Sequence, residues 1–205
     1  RTDRFNARGR GAKLVPSFLR DGDQGGWQRD SNGRFRSRRV AVKARIVKLN
    51  AQGRKRALHG LERAKAASKA VDAHLRYLER DGVNHEGEKG KAYSAFEDEA
   101  DGKAFVERGR EDRHQFRFIV APEDSNEMAD LKTFTRDLMR QMEMDLETRL
   151  DWIAIDHYNT GHPHTHVIVR GLTDDGKSLN IAGDYIAHGI RHRASETVPL
   201  ELGPQ

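Results

Sequence analysis

Ile153-Ala154-Ile155-Asp156-His157-Tyr158-Asn159-Thr160-Gly161-His162-Pro163-His164-Thr165-His166-Val167-Ile168-Val169 places two β-rich runs around a polar loop and carries four histidines in ten residues. Successive side chains on a strand point to opposite faces, so His164 and His166 point the same way. Tyr158-Asn159-Thr160-Gly161 has the composition of a hairpin loop, and closing that hairpin returns His157 beside the pair. Three neutral imidazoles converging on one point form a divalent cation site with positions left open for water or substrate. His162 shares the parity, so this argument leaves open which three of the four would bind. Imidazole softness taken alone suits Zn, Ni or Co.

Working outward, Val40, Val42, Ala44 and Ile46 alternate with Arg39, Lys43 and Arg45, which predicts a half-buried strand over Arg39 to Leu49 with a cationic face. Leu61, Ala64, Ser68, Val71, Leu75 and Leu78 recur at helical spacing and predict a helix from about Leu58 to Arg80, stopped by Asp81-Gly82. Residues 83–112 are rich in Gly, Glu, Asp and Lys and read as an exposed polar insertion. Phe116 to Val120 reads as a strand, Asn126 to Leu150 as a long helix capped by Ser125, and Ile181 to about Ser195 as a terminal helix. The order β-α-β-α-β-β-α predicts an α/β (α+β) fold with a central, mostly antiparallel sheet flanked by helices.

Charge divides the chain. Residues 1–60 hold 17 Lys and Arg against 4 Asp and Glu, while residues 61–205 hold 20 against 28. Residues 1–36 mix Arg with Gly, Asp, Ser and Asn, have few large apolar side chains, and are expected to form a mobile basic arm ahead of one domain over 37–200. Such an arm suits contact with a phosphate backbone. The absence of cysteine excludes disulfide scaffolds, thiolate metal sites and cysteine nucleophiles. No run approaches membrane-spanning length and no signal peptide is visible, so the expectation is a cytoplasmic protein without membrane insertion.

Without cysteine, the candidate nucleophiles for a metal-assisted reaction are water, Ser or Thr, and tyrosine. Tyr158 follows a proposed ligand and should face away from it, Tyr93 falls in the polar insertion, and Tyr185 reads as packing for the terminal helix. Tyr77 differs. At 100° per residue it lies opposite the Leu61-Val71-Leu75 stripe, on a face with Ala66, Ala70 and Ala73, which leaves room for something to approach, although packing of that face on the sheet would explain it too.

The run His157-x-Asn159-x-x-His162-Pro163-His164-x-His166, followed by Val167-Ile168-Val169-Arg170-Gly171, resembles the histidine motif of the HUH relaxases. These endonucleases initiate conjugative plasmid mobilisation and include the border-nicking enzyme of T-DNA transfer. Leu75-Arg76-Tyr77-Leu78-Glu79-Arg80-Asp81-Gly82 is similar to their nucleophile motif, and the tyrosine precedes the histidines as in that family. The resemblance implies Tyr77 as nucleophile, His157, His164 and His166 as ligands of Mg²⁺ or Mn²⁺, and His162 as a nearby group that either supports a ligand or contacts DNA. It further implies single-stranded origin-of-transfer DNA as substrate, a type IV secretion coupling protein and relaxosome accessory proteins as partners, and passage to a recipient cell with the DNA. Asn159 stands where many relatives have Asp, and an amide is no base, so Asp156 and Asp81 are the candidates to take the phenol proton. Arg170 and Arg117 on neighbouring strands, with His188, Arg191 and Arg193 on the terminal helix, are candidate phosphate contacts; Trp27, Phe35, Trp152 and Tyr158 are candidate stacking platforms for bases.

The reaction implied is attack by Tyr77 on a backbone phosphate, leaving a 5′-phosphotyrosyl strand and a free 3′-hydroxyl. Two other readings compete with it: a metal-dependent phosphodiesterase using water, and a basic DNA-binding accessory protein without catalysis. The close of the chain soon after the terminal helix suggests a nuclease domain from a longer protein.

Overall fold

The computed structural model describes residues 39–49, 57–84, 86–128 and 130–202, without the side chains of 57–61, 63 and 199–202. The expected basic arm, with Trp27 and Phe35, lies outside the described residues. Four strands, β1 (Val40–Lys48), β2 (His114–Pro122), β3 (Trp152–His157) and β4 (His164–Arg170), form one fully antiparallel sheet in the order β1-β2-β4-β3. The helices are α1 (Ala57–Asp81), α2 (Gly102–Arg108), α3 (Leu131–Leu146) and α4 (Ile190–Leu202). This is the α+β architecture read from the sequence.

Strand alternation sorts the sheet into two faces. Phe116, Phe118, Val120, Trp152, Ala154, Val167 and Val169 point to one side, where Phe134, Leu138 and Met142 of α3 and Ile190, Ala194 and Val198 of α4 cover them. Ile153, Ile155 and Ile168 point to the other, under Val71, Leu75 and Leu78 of α1 and Phe105 and Val106 of α2. The three α1 residues belong to the predicted stripe. The opposite face, with Ala66, Ala70, Ala73 and Tyr77, is open to solvent rather than packed on the sheet.

Three expectations are corrected. Residues 83–112 do not form an exposed excursion: Ala92 and Tyr93 are buried, and α2, capped by the Asp101 carboxylate at the N–H groups of Lys103 and Ala104, buries Phe105 and Val106. Tyr93 exchanges both backbone hydrogen bonds with Ala154 at 2.9 Å, so this segment covers the outer edge of β3. The long helix begins at Leu131, not Asn126. Asp130, not Ser125, caps it by accepting from the N–H groups of Lys132 and Thr133, while Ser125 closes a turn on Pro122. It ends at Leu146, before Glu147 enters the left-handed region at φ 53°. The terminal helix starts with a π turn, Tyr185–Gly189, and runs on to Leu202.

The connection from α1 to β3 depends on close backbone approach. A Cβ on Gly82 would stand 2.8 Å from both Ile155 Cγ2 and the Leu78 oxygen, and one on Gly90 would stand 2.8 Å from the Gly82 carbonyl carbon. Glycine at both positions lets the end of α1 sit directly on the strand that carries His157.

Candidate metal centre and nucleophile

The hairpin brings His157, at the end of β3, directly opposite His164 on β4, with His166 two residues along the same face. Their ring centroids are 4.6, 5.0 and 5.3 Å apart. One nitrogen from each can be chosen so that all three lie within 4.8 Å of one another. His157 Nε2 donates to the Leu78 carbonyl of α1 at 3.1 Å, and His164 Nδ1 donates to the His162 carbonyl at 3.0 Å. Those bonds fix each tautomer and turn His157 Nδ1 and His164 Nε2 into free lone pairs. Burial holds the His157 imidazole below its usual range. Burial, with the neighbouring His157 and His164, pushes His166 down to about 3. Neutral rings with free lone pairs suit a divalent cation, so this donor set fits a metal.

Tyr77 stands on the last turn of α1, 52% exposed, beside the Leu78 carbonyl that orients His157. The nearby Asp81 carboxylate raises the phenol pKa above the usual value, while the Arg80 guanidinium lies 5.2 Å from the ring centre. Asn159 Nδ2 donates to the Asp81 carbonyl at 3.1 Å, so the hairpin loop closes on the same helix end.

The two candidate bases separate by face. Asp156 alternates away from His157 and lies buried on the α3 side, accepting from Tyr93 Oη at 2.8 Å and Thr165 Oγ1 at 2.7 Å. Burial pushes its pKa up to about 6. The sheet divides it from Tyr77, and of the two carboxylates Asp81 is the one on the phenol's side, where its charge acts on the phenol.

The other candidate residues are scattered. His162 is exposed in the loop. Arg117 is half-buried on β2, on the triad's face. Arg170 is held by Asp112 through two bonds of 2.9 Å and by Asp151 at 3.1 Å. Arg193 grips Asp145 at 2.9 and 3.0 Å and Glu196 at 2.9 Å, joining α4 to α3. Arg191 and His188 are exposed, but on the layer across the sheet from the histidines. Trp152 is a core residue packed edge-on against Tyr93, and Tyr158 Oη accepts from the Leu131 N–H. Neither is a surface platform, because the strand's alternation turns both inward. Tyr185 packs the terminal helix and donates to Asp145 at 2.7 Å.

Sequence reasoning passed over His74 and Arg45. Burial, with the Arg117 and Arg45 charges, pushes His74 down to about 4. The cationic face predicted for β1 was the available signal for Arg45; nothing in the spacing marked His74.

The family profile described as "Relaxase: MobA/VirD2-like, nuclease domain" matches residues 68–194. No curated protein and no solved structure matches the chain significantly. No helix among the described residues is long and apolar enough to cross a membrane. The matched span holds the histidine hairpin, the exposed tyrosine and three of the four strands, β2, β3 and β4, and it covers more than half of the chain; the chain belongs to the MobA/VirD2-like relaxases and carries their nuclease domain.

Proposed function

We propose that this domain nicks one strand at an origin of transfer by transesterification, with Tyr77 as nucleophile. The observation that carries the reading is an exposed phenol on the helix turn whose carbonyl orients a histidine of the triad. His157, His164 and His166 would hold Mg²⁺ or Mn²⁺, which polarises the scissile phosphate and offsets charge on its oxygens when bound.

The remaining work belongs to the chain. Asp81 orients the phenol and accepts its proton; because the carboxylate also favours the neutral phenol, deprotonation accompanies attack rather than preceding it. The Tyr77 oxygen forms a bond to phosphorus, the P–O3′ bond breaks, and the departing 3′-oxygen takes a proton from solvent water to become a free hydroxyl, while Asp81 returns the phenol's proton to solvent. One phosphodiester is exchanged for another, so the strand can be rejoined. Arg117 and His162 are the proposed DNA contacts on this side of the sheet. Arg191 lies across the sheet, and Arg170 and Arg193 serve the fold through their carboxylate partners. Family membership supports single-stranded transfer DNA as substrate, with a secretion coupling protein and relaxosome proteins as partners in cytoplasmic processing.

The test incubates the protein with Mn²⁺ and single-stranded oligonucleotides spanning candidate transfer origins, followed by denaturing electrophoresis. A slower protein band that requires metal and disappears in Tyr77→Phe is the expected result. Cleavage that survives Tyr77→Phe would make water the nucleophile.

A further inference from the structure

Arg45 and Arg117 are directly opposed residues of β1 and β2, on the face that carries His166. Like charges placed opposite each other in a sheet repel. The other half-buried arginines among the described residues each meet a carboxylate: Arg110 with Glu107, Arg136 with Asp98, Arg170 with Asp112 and Arg193 with Asp145. Arg117 instead meets an amide. With the Gln115 oxygen turned toward it, Arg117 Nε and Nη2 both donate at 2.7 Å. A neutral partner takes part of the guanidinium fork and none of its charge. Burial and the Arg45 charge disfavour this cation, and no acid among the described residues offsets them.

The location is specific. Ile119, two residues from Arg117, is paired with His166, so Arg117 lies one strand spacing (about 5 Å) and Arg45 two (about 10 Å) from the strand of a triad ligand, each offset by two residues of rise (roughly 7 Å). An extended nucleic-acid backbone covers that span within one or two nucleotides. His74, on α1 one turn before Tyr77, is half-buried and close enough to both arginines to feel their charge. Lys43, opposite Ile119, continues the basic row along β1.

We infer that Arg45, Arg117 and His74 form a cradle for a non-scissile phosphodiester of the single strand, adjacent to the phosphate at the histidine triad. The inference rests on the proposed nicking function and adds a second phosphate subsite to it. An incoming phosphate supplies the negative charge that the arginine pair lacks, and fixes the strand's register relative to Tyr77. Phosphate is the ligand that fits, because the Arg45 fork and the guanidinium N–H groups of Arg117 that Gln115 leaves free are cationic donors with no acceptor among them.

The test measures binding of fluorescein-labelled single-stranded DNA, both oligothymidylate and candidate transfer-origin sequence, to the whole chain carrying Tyr77→Phe, across a salt series. Arg45→Gln and Arg117→Gln are each expected to lower the slope of log affinity against log salt by about 0.7, equivalent to about fivefold weaker binding near 0.1 M salt. In a walk of single methylphosphonate linkages along the oligonucleotide, one position should weaken the parent and leave Arg117→Gln unaffected. Arg45→Gln should not lower the melting temperature at low salt, since it relieves repulsion; this separates a binding role from a folding one. Unchanged slopes, no such position in the walk, or a parent protein that binds neither probe would overturn the cradle. Covalent adduct formed with unchanged slopes would sink the cradle alone, whereas altered slopes without any adduct would sink the tyrosine mechanism alone.

Discussion

Asp81 and Asp156 lie close to the histidines, and the fold gives them different work. Asp81 meets the phenol at the helix end, whereas Asp156 sits behind the sheet, tying Tyr93 and Thr165 together. Asp81→Asn is therefore expected to slow formation of the covalent adduct on the order of 100-fold, in line with loss of a positioned base, with Mn²⁺ binding by calorimetry unchanged. Histidine burial sets a pH dependence of stability as well. His74 is neutral in the folded protein down to about pH 4, against 6.5 for the exposed side chain, so unfolding takes up a proton between those values. Its contribution is complete above pH 6.5 and disappears as pH falls toward 4. Urea midpoints of metal-free protein should drop across that window, and less steeply in His74→Gln.

Among the elements, those with strong periodicity were legible. The stripe of α1 and the parity of the histidine hairpin each appear in the structure with boundaries shifted by a residue or two; β1 forms where its alternation predicts, but only Val40 and Val42 follow the expected burial, and Ala44 and Ile46 are exposed. The segment 83–112 was not legible, because its buried side chains, Ala92, Tyr93, Phe105 and Val106, follow no single period and sit among charges. Their burial comes from tertiary partners: Ala154 receives Tyr93, and α2 lies on α1 and β3. Phe105→Ala is accordingly expected to cost about 3–5 kcal/mol in urea unfolding, as a core truncation does, whereas a surface insertion would tolerate it within about 0.5 kcal/mol. The start of α3 was misplaced for a related reason. Ser125 and Asp130 are both acceptable caps by residue type, and only the chain path after Pro122 decides between them. The histidine cluster was legible because parity is a local property, although parity alone did not choose His157, His164 and His166 over His162; the hairpin's closure does. Assigning the base needed to know which face each carboxylate takes in three dimensions, and the Arg45–Arg117 opposition exists only once β1 and β2 pair.

On the scale of the molecule, the sheet order sets unequal stability. β4, which carries two of the three histidines, is hydrogen-bonded on both sides, while β1 bonds β2 alone. Amide exchange should be slowest in β4 and faster in β1, so β1 should open without unfolding the histidine hairpin; equal protection of both strands would contradict this. A second global property follows from the Leu78 carbonyl, which accepts from both the Gly82 N–H at 2.7 Å and His157 Nε2 at 3.1 Å. That one oxygen closes the helix of the proposed nucleophile and selects the nitrogen that His157 would offer a cation. Were α1 to lift from the sheet, Tyr77 would leave its place at the same instant that His157 lost its orientation. Under the proposed mechanism a loosened molecule would thereby be disarmed, with no phenol loaded beside DNA that it is not holding in place.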